Sequence, residues 1–390
     1  MHIKNTEKIN NRILEMWEER NFQGRIDAAL FKSISENDMS LENIEPVKAA
    51  AKRFIEAVAE KGGRHVTEDE AIMAIMLRSF VDNVAPGSFR NTYEEGMTLS
   101  SAAAHSRIFE ENEFEENAYL KNIRISDEKE GRFRLTTKKY EPYRFMFYDA
   151  PYYLKGTSIS LPSVGCFKNE FSYPCIVDGN TEWMSITPYE IYTMQEHIDK
   201  AKGNVLLLGC GIGYYAYMTS CKEDVSSITI IEKNKDIAGI FKNYILPQFE
   251  NKDKITVLEE DAFAFFEELP DGKFDTCFAD IYEGMGNFDF YYRLREVFCR
   301  FKKMKVSYLH EESFLSYAVS FAALEIMESF ARERKAANTI FPNIPEREKR
   351  LKTYISRLLK NEEIEKAEDV NYYLNTKNLL KLMNKSKEEY

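Results

Sequence analysis

The chain has no Cys-x-x-C pair, no grouped histidines, no long apolar run and no excess of positive charge. Each absence removes a class of function. Its six cysteines, Cys166, Cys175, Cys210, Cys221, Cys277 and Cys299, are scattered, and none stands at zinc spacing from a histidine. The five histidines, His2, His65, His105, His197 and His310, suggest no metal triad, so no metal is expected. Unclustered cysteines fit a reducing compartment, and a cytoplasmic location is expected. Cys210 and Cys277 fall inside apolar runs, where free cysteine acts as a small apolar residue. No apolar run approaches the roughly 20 residues of a membrane helix. The opening Met1-His2-Ile3-Lys4-Asn5 is polar and unlike a signal peptide, so no membrane partner is expected.

The formal net charge is −11 and the isoelectric point is about 5.3. A nucleic-acid footprint is basic, so this balance disfavours DNA or RNA and favours a small-molecule partner. One basic stretch exists: Arg332, Arg334, Lys335, Arg347, Lys349, Arg350, Lys352 and Arg357. Glu333, Glu346 and Glu348 interrupt it, and it reads as the solvated face of amphipathic helices.

What is present is a core and a clear change of texture along the chain. The 390 residues are 44% apolar and 13% aromatic, enough for a globular protein of two to three domains. Residues 1–125 read as helices. Pro46 opens one with Val47, Ala50, Phe54, Ile55 and Val58 on one side. Thr67-Glu68-Asp69-Glu70 is a capping signature before Ile72, Ile75, Met76 and Phe80. Residues 126–183 form a small β-rich region with strand-like runs near 132–136, 143–148 and 171–180. Asp178-Gly179 marks a hairpin there, and Pro174 marks an edge position. Residues 184–320 form an α/β domain, and residues 321–390 a helical extension. Pro188 begins a helix that runs to about Ala201 and leads into the first strand of the α/β domain.

That strand carries the most specific signal. Val205-Leu206-Leu207-Leu208 runs straight into Gly209-Cys210-Gly211-Ile212-Gly213, and Tyr214 opens a helix. A glycine turn between strand and helix brings backbone close to a ligand. A dinucleotide turn needs a small residue where Tyr214 stands, which argues against NAD or FAD, and no P-loop lysine follows. A second apolar strand, Ile228-Thr229-Ile230-Ile231, ends on Glu232, about 20 residues on, where such folds place the carboxylate for the ribose hydroxyls. A third, Ile255–Leu258, leads to Asp261-Ala262, and a fourth, Phe274–Ala279, ends on Asp280. Val306–His310 reads as a fifth strand.

Together these residues resemble class I S-adenosylmethionine-dependent methyltransferases. The resemblance implies a Rossmann-like α/β fold with a parallel sheet in the order 3-2-1-4-5. It implies S-adenosylmethionine as cofactor, held by Gly209, Cys210, Gly211, Gly213, Glu232, Asp261, Ala262 and Asp280. Glu232 then serves the ribose, Asp261 and Ala262 the adenine, and Asp280 either the methionine amino group or, as the catalytic candidate, a proton of the acceptor. The family's closing antiparallel strand pair is expected to be missing or replaced by the C-terminal helices. The order of hairpin, tyrosine-bearing helix and glycine strand over residues 170–310 also resembles spermidine synthase. That family's glutamine and histidine positions fall near Glu182 and Thr193, and its second aspartate and proline after the fourth strand are absent. The acceptor side is therefore open. Tyr192, Tyr282 and Glu283 are candidate acceptor contacts, and Tyr214, Tyr215 and Tyr217 either floor a pocket or pack helix on sheet. The readings are a methyltransferase acting on a small molecule, an aminopropyl or alkyl transferase acting on an amine, or a non-catalytic cofactor-binding protein. Oligomeric state is left open.

Overall fold

The computed structural model describes residues 1–37, 41, 43–154, 157–282, 288–334 and 348–385. The chain is mixed α/β and divides into two compact units. The larger comprises Gln23–Ala279 and Lys302–Val306; the smaller comprises Met1–Phe22, Asp280–Phe301 and Ser307–Tyr390.

One sheet orders its strands Ile255–Glu259, Val225–Glu232, Gly203–Leu208, Thr276–Ala279 and Lys305–Tyr308. Gly203–Leu208 pairs in parallel with the strands on both sides. A strand covered on both faces reads as a continuous apolar run, and Val205 to Leu208 are all buried. Register aligns the carboxyl ends: Leu208 lies beside Ile231 and beside Ala279, and Glu232 beside Glu259. Ligands of open α/β sheets bind outside such ends. The helix Pro188–Lys200, with its proline in the first turn, precedes the central strand.

Two smaller sheets lie upstream. Glu128–Glu130, Phe133–Tyr140, Phe171–Asp178 and Thr181–Ser185 form an antiparallel sheet in that order. The two-residue loop Gly179-Asn180 joins its last two strands, with Gly179 at φ +59°. A second sheet orders Arg107–Phe109, Ser160–Phe167 and Met146–Tyr153. Its first strand interrupts a region whose sequence reads as helical. Three residues are too few to show a period of two.

Pro174 needs correction. Its strand is interior, paired with Phe133–Tyr140 on one side and Thr181–Ser185 on the other. The proline is tolerated because the neighbouring strand ends opposite it. The Pro174 carbonyl accepts from Ile186 N–H at 2.9 Å, one residue past Ser185, so the missing donor falls where the ladder stops.

The N-terminal helices of this unit follow their caps. Thr67 accepts from Glu70 N–H at 3.2 Å to start Glu68–Val84, and Asn91 accepts from Glu94 N–H at 2.9 Å to start Thr92–Ala104. Glu94 is buried at the second start and paired with Arg25 at 2.6 Å and Arg90 at 2.9 Å.

The smaller unit is built on the helix Glu311–Glu333, packed by Lys349–Leu358, Ala367–Tyr373 and Thr376–Lys385. Glu311–Glu333 is long and apolar enough to cross a membrane by length and composition, which corrects the reading that no segment is. Most of its apolar window is buried inside the protein, as in a core helix. The C-terminal region is also not wholly helical. Glu363–Ile364 pairs in parallel with His2–Ile3, a ladder too short to mark the sequence. Within residues 320–345, where the family's closing strand pair is expected to be missing or replaced, 320–333 are helical and 335–345 lie outside the described residues.

Candidate cofactor-binding site

The turn after the central strand is left-handed at three of its five residues: Gly209 at φ +87°, Gly211 at +48° and Gly213 at +78°. Side chains rarely adopt this region, so glycine is required at each position. Gly209 N–H donates to the Ile231 carbonyl at 2.9 Å, and Gly213 N–H to the Cys210 carbonyl at 2.8 Å. Gly213 then caps the helix Tyr214–Ser220. Space is tight as well. A Cβ on Gly213 would lie 2.5 Å from Phe241, which a π-helical turn at Phe241–Ile245 presses against it.

Glu232 ties this turn to the neighbouring strand. It is buried; one carboxylate oxygen accepts from Cys210 N–H at 3.1 Å, the other from Asn234 N–H at 2.7 Å. The Cys210 thiol also lies 3.6 Å from Glu232. Burial first, and the Glu232 carboxylate second, push that thiol's pKa well up, so it stays protonated and can donate.

Asp261 is the N-cap of Ala262–Glu267, accepting from Phe263 N–H at 2.9 Å and Ala264 N–H at 3.3 Å. Its second oxygen meets Lys233 Nζ at 2.9 Å, the largest of the interactions that lower its pKa against the opposing effect of burial. Ala262 is buried as the first residue of that helix. The larger unit thus brings Gly209, Cys210, Gly211, Gly213 and Glu232 together, with Asp261 and Ala262 one strand further on.

The remaining candidates stand elsewhere. Asp280 follows the last residue of the Thr276–Ala279 strand and belongs to the smaller unit. Tyr282 packs within the smaller unit, its ring 5.0 Å from Phe314. Glu283 lies outside the described residues. The Tyr192 hydroxyl accepts from Arg107 at 2.9 Å, and its ring sits between Phe114 and Tyr148. Glu182 accepts from Tyr173 and pairs with Lys138 at 3.3 Å, while Thr193 bonds its own helix at the Tyr189 carbonyl.

Tyr214, Tyr215 and Tyr217 are all buried, and their partners include residues that sequence reasoning missed. Tyr215 stacks on Phe278 at 4.2 Å. Asn117 donates to the Tyr214 hydroxyl at 3.0 Å, and Asn122 to that of Tyr217 at 2.9 Å. Between them, the fully buried Tyr119 donates its hydroxyl to the Ile212 carbonyl inside the turn. The segment 117–122 therefore clasps the turn from outside the α/β domain. Its only local signal is Asn117, which caps the helix Ala118–Asn122.

No family model matches this chain, and no curated protein does. Among solved structures, one match is a conserved hypothetical protein of Streptococcus pyogenes, 25% identical, with a TM-score of 0.18 over 20% of this chain and 48% of that one. Another is a Klebsiella pneumoniae structure described as a candidate O-methyltransferase, 14% identical, with a TM-score of 0.25 over 41% of this chain and 61% of that one. The chain thus spans less than two thirds of either structure, and at these scores the likeness carries no functional weight.

Proposed function

We propose that this chain binds S-adenosylmethionine at Gly209–Gly213 and transfers its methyl group to a small-molecule acceptor. The observation that carries the reading is a left-handed glycine turn whose Cys210 amide is held by the strand-end carboxylate Glu232 at 3.1 Å. That arrangement fits an adenosyl ligand. The turn offers close backbone approach, and a carboxylate has lone pairs beyond the two N–H groups it already accepts, available to ribose hydroxyls. Asp261 has the acceptor chemistry for an exocyclic amine, and its Lys233 partner is largely exposed and can move aside.

The bound cofactor supplies an already activated methyl group, so the chain's own task is alignment. Glu232 orients the ribose end and Asp261 the base. A base is required only where the acceptor arrives protonated. The net charge of −11 favours a small neutral or cationic acceptor over a polyanion.

Titration calorimetry with S-adenosylmethionine and S-adenosylhomocysteine tests the cofactor. Saturable binding of either is expected, and no heat from either at about 1 mM, a weak affinity of roughly −4 kcal/mol, would overturn the reading. A second reading, aminopropyl transfer to an amine, is favoured by the order of hairpin, helix and glycine strand over residues 171–208. Decarboxylated S-adenosylmethionine binding clearly better than the parent compound would select it.

A further inference from the structure

Gly211 is the middle glycine of the turn, and the space its missing side chain leaves is already taken. A Cβ there would lie 2.6 Å from Met184 Cε and closer still to Met184 Sδ. Met184 comes from Thr181–Ser185, the edge strand of the upstream antiparallel sheet. That strand is irregular at this point. Ile176 pairs with Met184 but Val177 pairs with Glu182, so Trp183 is an extra residue, a β-bulge. Bulges occur at sheet edges and beside active sites, where they re-aim a side chain. Trp183 rests on the ring of Phe133 at 5.4 Å, which fixes the bulge, while Met184 reaches the turn and remains half-buried.

We propose that Met184 is a ligand-displaced plug of the glycine turn: its thioether occupies the approach face of Gly211, and an adenosyl ligand binds by moving it aside. The inference rests on the ligand assigned above. Three things support it. The bulge aims the residue at the turn, where a regular ladder would not need one. The occupied space lies at a left-handed glycine, whose use is close approach by a ligand. The side chain is methionine, unbranched with three rotatable bonds, so it fills the space and leaves it without backbone movement. Affinity is then reduced by the fraction of molecules in the open state.

The test measures S-adenosylhomocysteine affinity and association rate for the full chain and for Met184→Ala, Met184→Thr and Met184→Phe. Thermal melts confirm that each variant folds, and threonine suits a strand if alanine does not. Met184→Ala or Met184→Thr should bind about three- to tenfold tighter and associate faster, as expected when a largely closed population is opened. Met184→Phe, bulkier and with fewer rotamers, should bind at least about tenfold weaker. Binding by Met184→Ala where the wild type shows none also supports the plug. Wild-type binding with unchanged or weaker affinity in both small variants overturns the plug and leaves the ligand assignment standing. No binding by any of the four proteins overturns the ligand assignment, and the plug with it.

Discussion

Glu232 and Cys210 form a small cooperative unit, and two predictions belong to them. Glu232→Ala removes the acceptor of two backbone amides and, on the proposed reading, of the ribose. Binding of S-adenosylhomocysteine should weaken by about 2 kcal/mol, the scale of hydrogen bonds to a charged group, as read by calorimetry. An unchanged affinity would place the ligand elsewhere. Cys210 is buried and its thiol is held protonated, whereas Cys221 and Cys299 are exposed. Iodoacetamide under native conditions should label Cys221 and Cys299 first and Cys210 only on unfolding, as mapped by mass spectrometry. Early labelling of Cys210 would show that the turn opens in the free protein. His197 gives a third prediction at this scale. Its Nδ1 is buried with no hydrogen-bond partner among the described residues, its ring faces Phe278 at 4.9 Å, and burial lowers its pKa below the ordinary 6.5. A lowered pKa in the folded state means that the unfolded chain takes up the proton first. This contribution is present above pH 6.5 and is lost as pH falls from there toward the folded value. Urea melts between about pH 7.5 and 5.5 should show the decline, and His197→Gln should flatten it.

At the scale of elements, the clasp 117–122 and the Asp261 cap show how far local pattern reaches. Asp261 before Ala262-Phe263-Ala264 has the form of an N-cap, and it is one. Whether it also reads adenine is a matter of its second oxygen, now at Lys233. Asp261→Ala should cost about 1 kcal/mol in stability through the cap alone. A larger proportional loss for adenosine ligands than for methionine would give it the second role. Tyr119→Phe tests the clasp. It leaves the Ile212 carbonyl without its buried donor, a penalty of about 1–3 kcal/mol, and should weaken ligand binding through the turn while leaving the fold intact. A melting temperature unchanged from the wild type would show that the clasp is dispensable. Pro174 marks the opposite case. Proline in a strand suggests an edge, but only the neighbouring chain decides where a ladder ends.

At the level of the whole chain, charge bears on the proposed acceptor. Of the basic residues near the C-terminus, Arg334 bonds Glu333, Asn10 and the carbonyls of Ile3 and Lys4, Lys352 pairs with Glu328 at 2.6 Å, and Arg332 meets Ser329. These three serve the smaller unit's own packing. A transfer assay with labelled cofactor, set against small amines, small neutral metabolites and bulk RNA at physiological salt, should label small molecules and not RNA. RNA labelling alone would overturn the charge argument.

Apolar pattern along the chain marks the elements of the α/β core. Its strands are short runs of apolar and β-branched residues, and burial on both faces demands that composition wherever the strands are placed. The sequence also marks the turn, because three glycines within five residues permit the positive φ angles found there. What surrounds that turn comes from the packing of distant segments. Met184 and Phe241 come from segments fewer than 30 residues from it, Tyr119 and Asn117 from one 90 residues or more away. Their meeting depends on a bulge, a cap and a π-turn, each of which takes its meaning from the partner it faces. No periodicity encodes such a meeting, since packing and hydrogen bonds across distant segments are chosen by the whole fold rather than by neighbours in the chain.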